Sequence, residues 1–583
     1  MAGGANGLRS ARWFGTDDLS GLIHRSALRA EGIAQGALDG RPVIGICNSW
    51  SELVNCNVHF RALATSAKRG VLRAGGLPLE FPTMSLGEQL MKPTTMLFRN
   101  LMAMDVEESL RAYPLDATVL IAGCDKTVPA QLMGATSAGV PAIMVTGGPA
   151  QAAVFRGREL GVGTDLWRYL DDYRAGRMTE QEFGELEGAL GPSYGHCNEM
   201  GTALTMASLV EALGMALPGS ASIPAADARR FAAAEEAGAR AVALARRRQH
   251  PAEILTAEAF DNAITLLMAL GGSTNAVIHL LAMAGRAGVP LGLDRFNEIA
   301  ERTPVLANIR PCGEYLGEQL HRAGGAPVLL KELRPLLHDV PTVSGLTLFE
   351  AIEAAPEPDG DVIASLSAPL RADGAIVALR GSLAPDGAVI KVSAASERLL
   401  KHRGRAVVFD GMEDLAARID DPGLDVDADS VLVLKNAGPV GAPGMPEWGA
   451  LPIPRKLLSQ GVDDMVRVSD ARMSGTAFGT VVLHVAPESA AGGPLALVER
   501  GDPIVLDVGA RSIELDVSRS ELDRRRAELE LPPYKFRRGY GLMHSEHVLQ
   551  ADRGCDLDFL VARPGEAADD EPVGMFTGWI GGW

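Results

Sequence analysis

The sequence predicts an α/β protein in two parts, an N-terminal α/β domain with a parallel sheet and a C-terminal β-barrel domain. Three observations lead there. Between about residues 40 and 380, short apolar runs alternate with helical stretches. After about residue 375, short strands follow one another between Gly, Pro and Asp turns. The 583 residues also exceed the size at which one hydrophobic core usually stops growing.

In the first part, RPVIGICNSW (41–50), DATVLIAGC (116–124) and VPAIMVTGGP (140–149) read as buried strands. Each is short, rich in Val and Ile, and ended by Gly, Cys or Asn. Between them, NVHFRALATSAKRGVLRAGG (57–76) has helical periodicity. So does the stretch 85–114, where Pro93 breaks the pattern and marks the start of the main helix. Strand–helix–strand alternation implies parallel strands covered by helices on both faces. The Ala-rich segments 225–248 and 257–272 are further helices.

In the second part, GAIVALRGSL, GAVIKVS, GRAVVFDG, DSVLVLKNAG, TVVLHVAPE, DPIVLDVGA and RSIELDVS are seven short strands with little helix between many of them. That texture suggests a barrel or a sandwich. The domains are placed at 1–375 and 376–583, with a linker near Pro356–Gly374 that is rich in Pro, Asp and Ala.

A formal charge of −18, from 55 basic and 73 acidic residues, argues against nucleic acid and anionic membrane surfaces as partners. It leaves an anionic substrate open, because a bound metal reverses the local field. The first residues contain no apolar h-region and no run of 18 apolar residues occurs, so neither a secretory signal nor a membrane span is expected. Six widely spaced cysteines in so large a chain do not read as a disulfide framework, and a cytoplasmic location is expected.

Three of those cysteines stand at loop positions beside predicted strand ends and helix starts. Cys56 lies in NSWSELVNCNVHF, Cys124 ends TVLIAG, and Cys197 lies in GPSYGHCNEMGTA. The carboxyl edge of a parallel sheet is where α/β folds gather their sites. Taken singly, each cysteine fits the commoner role of a small buried hydrophobe, and their spacing matches no CxxC pattern. Cys124-Asp125-Lys126 is more informative, since a soft thiolate stands next to a hard carboxylate. An Asp–Lys pair capping the next helix is the plainer alternative. Glu447 stands in the Gly/Pro-rich loop GPVGAPGMPEWGALP, and Ser474 in SDARMSGTAFGT. The first is otherwise an exposed turn glutamate and the second a locally bonded turn serine.

Together these segments resemble the dihydroxy-acid and sugar-acid dehydratase family. The resemblance runs through nearly the whole chain, in NSWSELVNCN, GCDKTVPAQLMGA, GHCNEMGTALTMASLVEALGM, LGGSTNAVIHL, KNAGPVGAPGMPE, SDARMSGTAFGT and GYGLMHSEHVLQADRGCDLDFL. It implies that Cys56, Cys124 and Cys197 bind a [2Fe–2S] cluster, with [4Fe–4S] as the alternative. It implies magnesium held by Glu88, Asp125, Glu447 and Lys126, the lysine being carbamylated, because an ammonium has no lone pair to offer a metal. The branched-chain enzymes carry an Asp in a DGIAMGH-like stretch where this chain has PTMSLGEQLM, with Pro82 near that position. Glu88 is then the available carboxylate, a pattern similar to the sugar-acid branch.

The reaction so implied is loss of water from a small 2,3-dihydroxy acid, most simply an aldonate such as a pentonate, to a 2-keto-3-deoxy acid. Ser474 is the expected base at carbon 2, with Thr476 as its hydrogen-bonding neighbour. The rival substrate is a branched-chain 2,3-dihydroxy acid, and a more distant alternative is a non-catalytic iron–sulfur sensor. The resemblance also implies a homodimer or homotetramer, with the terminal GWIGGW as a candidate subunit contact.

Overall fold

The structure, a computed structural model, describes residues 7–562; GWIGGW lies outside them. In chain order the first strands are β1 (Val43–Asn48), β2 (Leu77–Pro82), β3 (Ala117–Ala122) and β4 (Ala142–Thr146). Every residue of β1, β3 and β4 is buried, which is what an unbroken apolar run requires in a sheet covered on both faces. They form one parallel sheet in the order β2-β1-β3-β4. Parallel neighbours need long crossovers, and helices Phe60–Arg73 and Thr95–Ala112 supply the first two. The second of these begins just after Pro93, with Thr94 as its N-cap. Strand β2 went unrecognised in the sequence because prolines stand at residues 78 and 82, and it lies at the sheet edge where prolines are tolerated. A small hairpin of β5 (Ala153–Phe155) and β6 (Arg158–Leu160) follows.

The second part holds β7 (Ile376–Leu379), β8 (Gly387–Lys391), β9 (Lys401–Phe409), β10 (Val431–Leu434), β11 (Arg467–Ser469), β12 (Val481–Ala486), β13 (Pro503–Asp507) and β14 (Ser512–Leu515). All seven expected strands are present, and β11 is additional. The eight form a sheet in the order β14-β13-β9-β10-β11-β12-β8-β7. A bridge between Arg380 and Ser512 draws its two edges together, so the barrel is nearly closed. Its middle is parallel, from β9 through β12, and the remaining pairings are antiparallel. The segment 356–374, read as linker, lies against the first part through the bridges Ala307–Ile363 and Val305–Arg371.

The barrel wall has two buried faces. Along β12, Val482 and Val485 belong to the barrel's own core, whereas Val481 and Leu483 join the core of the first sheet together with Met473 and Ala477. Alternation along a strand therefore seals the two parts against each other. No helix among the described residues is long and apolar enough to cross a membrane.

Candidate active site

The carboxyl ends of the parallel strands in both sheets carry residues singled out from sequence. In the first sheet, the chain after β1 reaches Cys56, and the turn after β3 holds Cys124, Asp125 and Lys126 before helix Thr127–Ala138. Beyond β4, Pro149 bridges to His196, which sets Cys197 at the same edge. In the barrel, the loop after β10 carries Glu447 and the turn after β11 carries Ser474.

Cys56, Cys124 and Val54 pack into one small buried cluster. The Cys56 thiol is pushed well up, first by its hydrogen bond with Cys124 and then by burial, and it also feels Cys197. Burial likewise pushes Cys197 up, helped by Glu199, Asp125 and Cys124. Cys124 and Cys197 thus make the Cys56 thiol harder to ionise, and Cys124 does the same to Cys197. All six cysteines are free thiols.

Beside them lies a knot of charge around Lys126. Its Nζ is 3.0 Å from Glu447 Oε1, 3.3 Å from Glu88 Oε2 and 3.5 Å from Asp125 Oδ2, and the side chain has no solvent exposure. Arg472, also fully buried, donates from Nη1 to Glu447 Oε1 at 2.8 Å and from Nε to the Met445 carbonyl at 2.8 Å. Its Nη2 donates to Thr94 Oγ1 at 3.3 Å, and Thr94 Oγ1 donates to Glu88 Oε1 at 3.0 Å. Thr95 also donates to Glu88.

Three carboxylates and two cations share this pocket, and Glu88 and Asp125 are shifted in opposite directions for a visible reason. Burial works to raise both Glu88 and Asp125. Glu88 is nonetheless held well below the usual range by Lys126, Arg472 and the two threonine hydroxyls. Asp125 accepts from no hydroxyl, so burial keeps its carboxyl raised despite Lys126. Burial opposes the Lys126 charge, but Glu447, Glu88 and Asp125 outweigh it and raise the ammonium.

The loop that presents Glu447 is rigid for local reasons. Gly444 has φ +85°, and a Cβ there would strike the backbone nitrogen of Leu97. In the second turn, Ser474 Oγ lies 2.8 Å from Thr476 Oγ1. A Cβ on Gly475 would come within 2.6 Å of Ser273 Oγ and 2.9 Å of Thr202 N, so only glycine lets this turn settle. Trp167 Nε1 donates to Thr476 Oγ1 at 3.4 Å, and Thr164 Oγ1 donates to the Thr476 carbonyl at 3.0 Å. Among the described residues Ser474 bonds to Thr476 and not to the carboxylates; Arg472, two residues before it, reaches Glu447.

Among the described residues, no three His, Cys, Asp or Glu side chains converge as they stand to hold a metal ion. The ammonium of Lys126 takes the centre instead. The donor chemistry still suits a hard cation. Asp125 Oδ1 and Glu447 Oε2 have no hydrogen-bond partner among the described residues, and the carboxylates are already charge-compensated. The crowded thiols suit a soft metal centre. A cavity of about 710 Å³ lies elsewhere, at the amino edge of the first sheet by Arg9, Arg41 and Asp116, and contains none of these residues.

Asn275, Arg472, Thr94, Thr95 and Trp167 bear on the site and were not singled out from sequence. Asn275 stands in the motif LGGSTNAVIHL, and Arg472 two residues before Ser474, so motif position was the available signal. Nothing in the sequence points to Trp167.

Residues 41–351 match the family model described as dihydroxy-acid/6-phosphogluconate dehydratase N-terminal, and residues 361–555 match the corresponding C-terminal model. The chain belongs to the dihydroxy-acid/6-phosphogluconate dehydratase family and is a hydro-lyase. It is 52% identical over 568 residues to the L-arabonate dehydratase of Azospirillum brasilense, covering 96% of this chain and 97% of the relative. It is 48% identical over 571 residues to the 6-deoxy-6-sulfo-D-gluconate dehydratase of Pseudomonas putida, covering 97% and 98%. Identity to the dihydroxy-acid dehydratase of Saccharolobus islandicus (strain Y.G.57.14 / Yellowstone #1) is 40% over 543 residues, covering 91% and 96%.

Proposed function

We propose that this chain removes water from a sugar acid, an aldonate such as a pentonate, to leave the 2-keto-3-deoxy acid. The observation that carries the substrate class is the gradient of likeness: 52% and 48% identity to the two sugar-acid dehydratases against 40% to the dihydroxy-acid dehydratase. Glu88, whose carboxylate meets Lys126 in this site, supports the same branch.

In this reading Cys56, Cys124 and Cys197 hold an iron–sulfur cluster, [2Fe–2S] with [4Fe–4S] as the alternative. Glu88, Asp125, Glu447 and Lys126 hold magnesium, the lysine as its carbamate. When bound, the two centres supply Lewis acidity, magnesium toward the substrate carboxylate and 2-hydroxyl and iron toward the 3-hydroxyl. The chain's own part is to orient the acid and to move a proton. Ser474 Oγ, as its alkoxide, accepts the proton from carbon 2 as the C3–O bond breaks, and that proton and the departing 3-hydroxide leave together as water. A free serine is too weak a base for this, and its neighbours make up part of the difference. Trp167 Nε1 donates to Thr476 Oγ1, and once Ser474 is the anion the Thr476 hydroxyl, 2.8 Å away, is the donor that stabilises it. The enol then tautomerises to the keto acid. The six free thiols suit a reducing cytoplasm, and the assembly is a homodimer or homotetramer.

An anaerobic panel of aldonates plus 2,3-dihydroxyisovalerate, scored for 2-keto acid, tests this. Turnover of at least one aldonate well above the branched-chain acid is expected. Turnover of 2,3-dihydroxyisovalerate alone establishes the branched-chain reading instead. No product from any acid, with the brown chromophore intact, leaves the sensor.

A further inference from the structure

Glu447 is bonded asymmetrically. Its Oε1 accepts from Lys126 Nζ at 3.0 Å, Arg472 Nη1 at 2.8 Å and Asn275 Nδ2 at 2.9 Å, while Oε2 accepts from none of the described residues. The three donors come from three separate places: the turn after β3, the turn after β11, and the start of helix Asn275–Arg286. A carboxylate has about four lone-pair sites. Loading the donors onto one oxygen fixes the rotamer and leaves the other oxygen free to meet a ligand.

The donors are not equivalent. Once carbamylated, Lys126 keeps a single N–H but loses its positive charge, and its new carboxylate repels Glu447. Arg472 and Asn275 then carry the main hold on Oε1. Asn275 is itself fixed: its Nδ2 also donates to Thr202 Oγ1 at 2.9 Å, Thr202 Oγ1 pairs with Ser273 Oγ at 2.9 Å, and its own backbone N–H donates to Ser273 Oγ at 3.2 Å. Asn275 is fully buried, as are Ser273 and the Thr202 backbone that press against Gly475 beside the base.

We infer that Asn275 is a positioning residue that holds Glu447 with Oε2 presented to magnesium, whatever the charge on Lys126. The inference rests on the magnesium reading above. Partners that orient a metal ligand through its second atom are typically worth about 10–100-fold in metal affinity.

The test is Mn2+ binding, followed by EPR on the cluster-loaded protein, in wild type, Asn275→Ala, Glu447→Ala and the double variant. Expected is a loss of about 10–100-fold in Mn2+ affinity in Asn275→Ala, with iron and sulfide content unchanged and no further loss when Glu447 is already alanine. A merely structural role would weaken binding in both backgrounds, and that result overturns the inference. So does wild-type affinity in Asn275→Ala. A wild type that takes up no Mn2+ overturns the magnesium reading itself. Asn275→Ser, too short to reach Glu447 but still polar in the buried site, gives the same comparison if the alanine variant does not fold.

Discussion

The Nζ of Lys126 lies 3.0 Å from Oε1 of Glu447, a residue 321 positions further along the chain. That single contact joins the turn after β3 of the first sheet to the loop after β10 of the barrel. The buried charge of the site is therefore shared between two parts that fold around separate sheets. Its energetics depend on how those parts meet.

Ser474→Ala is expected to keep its iron, sulfide and magnesium and to lose turnover by about 10²–10⁴-fold, the usual worth of a positioned base. Metal analysis beside a 2-keto acid assay checks it. Activity within tenfold of wild type removes Ser474 from the reaction.

Cys124→Ser is expected to lose the cluster chromophore, since Cys124 packs directly on Cys56 in the thiol cluster. Visible absorption with iron and sulfide content decides this. Unchanged iron and sulfide would refute the ligand assignment.

In protein kept free of metal and carbon dioxide, where Lys126 is the free ammonium, Lys126→Ala takes that charge out from between three carboxylates. Removing one side of a buried ion pair costs about 3–5 kcal/mol. In chelator the variant should therefore melt below wild type, and it should bind no Mn2+. An equal or higher melting temperature in chelator would show that the carboxylates do not need the cation.

Glu211 gives a pH dependence away from the site. Burial raises its carboxyl to about 7, against the backbone N–H groups of Ala221 and Gly219 that it accepts from. A raised carboxyl favours the folded state fully below the unfolded value near 4.5, and that contribution is lost as pH climbs through about 7. Denaturation midpoints should accordingly fall between pH 5 and pH 8. Glu211→Gln keeps one acceptor but cannot ionise, so its fall over the same range should be smaller. An equal slope in the variant would place the titration elsewhere.

Much of this architecture was legible in the sequence because its signals are local. Three short Val/Ile runs gave β1, β3 and β4, Pro93 gave the helix start, and turn residues bracketed seven barrel strands. Strand β2 was hidden by its prolines, and β11 by being only Arg467–Ser469, too short to show a period. The parallel run from β9 to β12 was not legible either, since pairing direction depends on crossovers whose helices are as short as Met412–Arg418. In the site, Cys56, Cys124, Cys197, Glu88, Asp125, Lys126, Glu447, Ser474 and Thr476 were all singled out beforehand. Their mutual contacts were not. Arg472, Asn275 and Trp167 act through hydrogen bonds that exist only once distant segments meet, and no spacing along the chain records them.

Lys126 makes no contact with solvent, and this has a consequence for when the protein matures. On the carbamate reading, dissolved carbon dioxide must arrive before the Glu447 loop is seated, or during a transient opening of it. Protein that closes in the absence of carbon dioxide would then be caught as a well-folded but unripe form, and its activation by bicarbonate would be slow, at the pace of that opening.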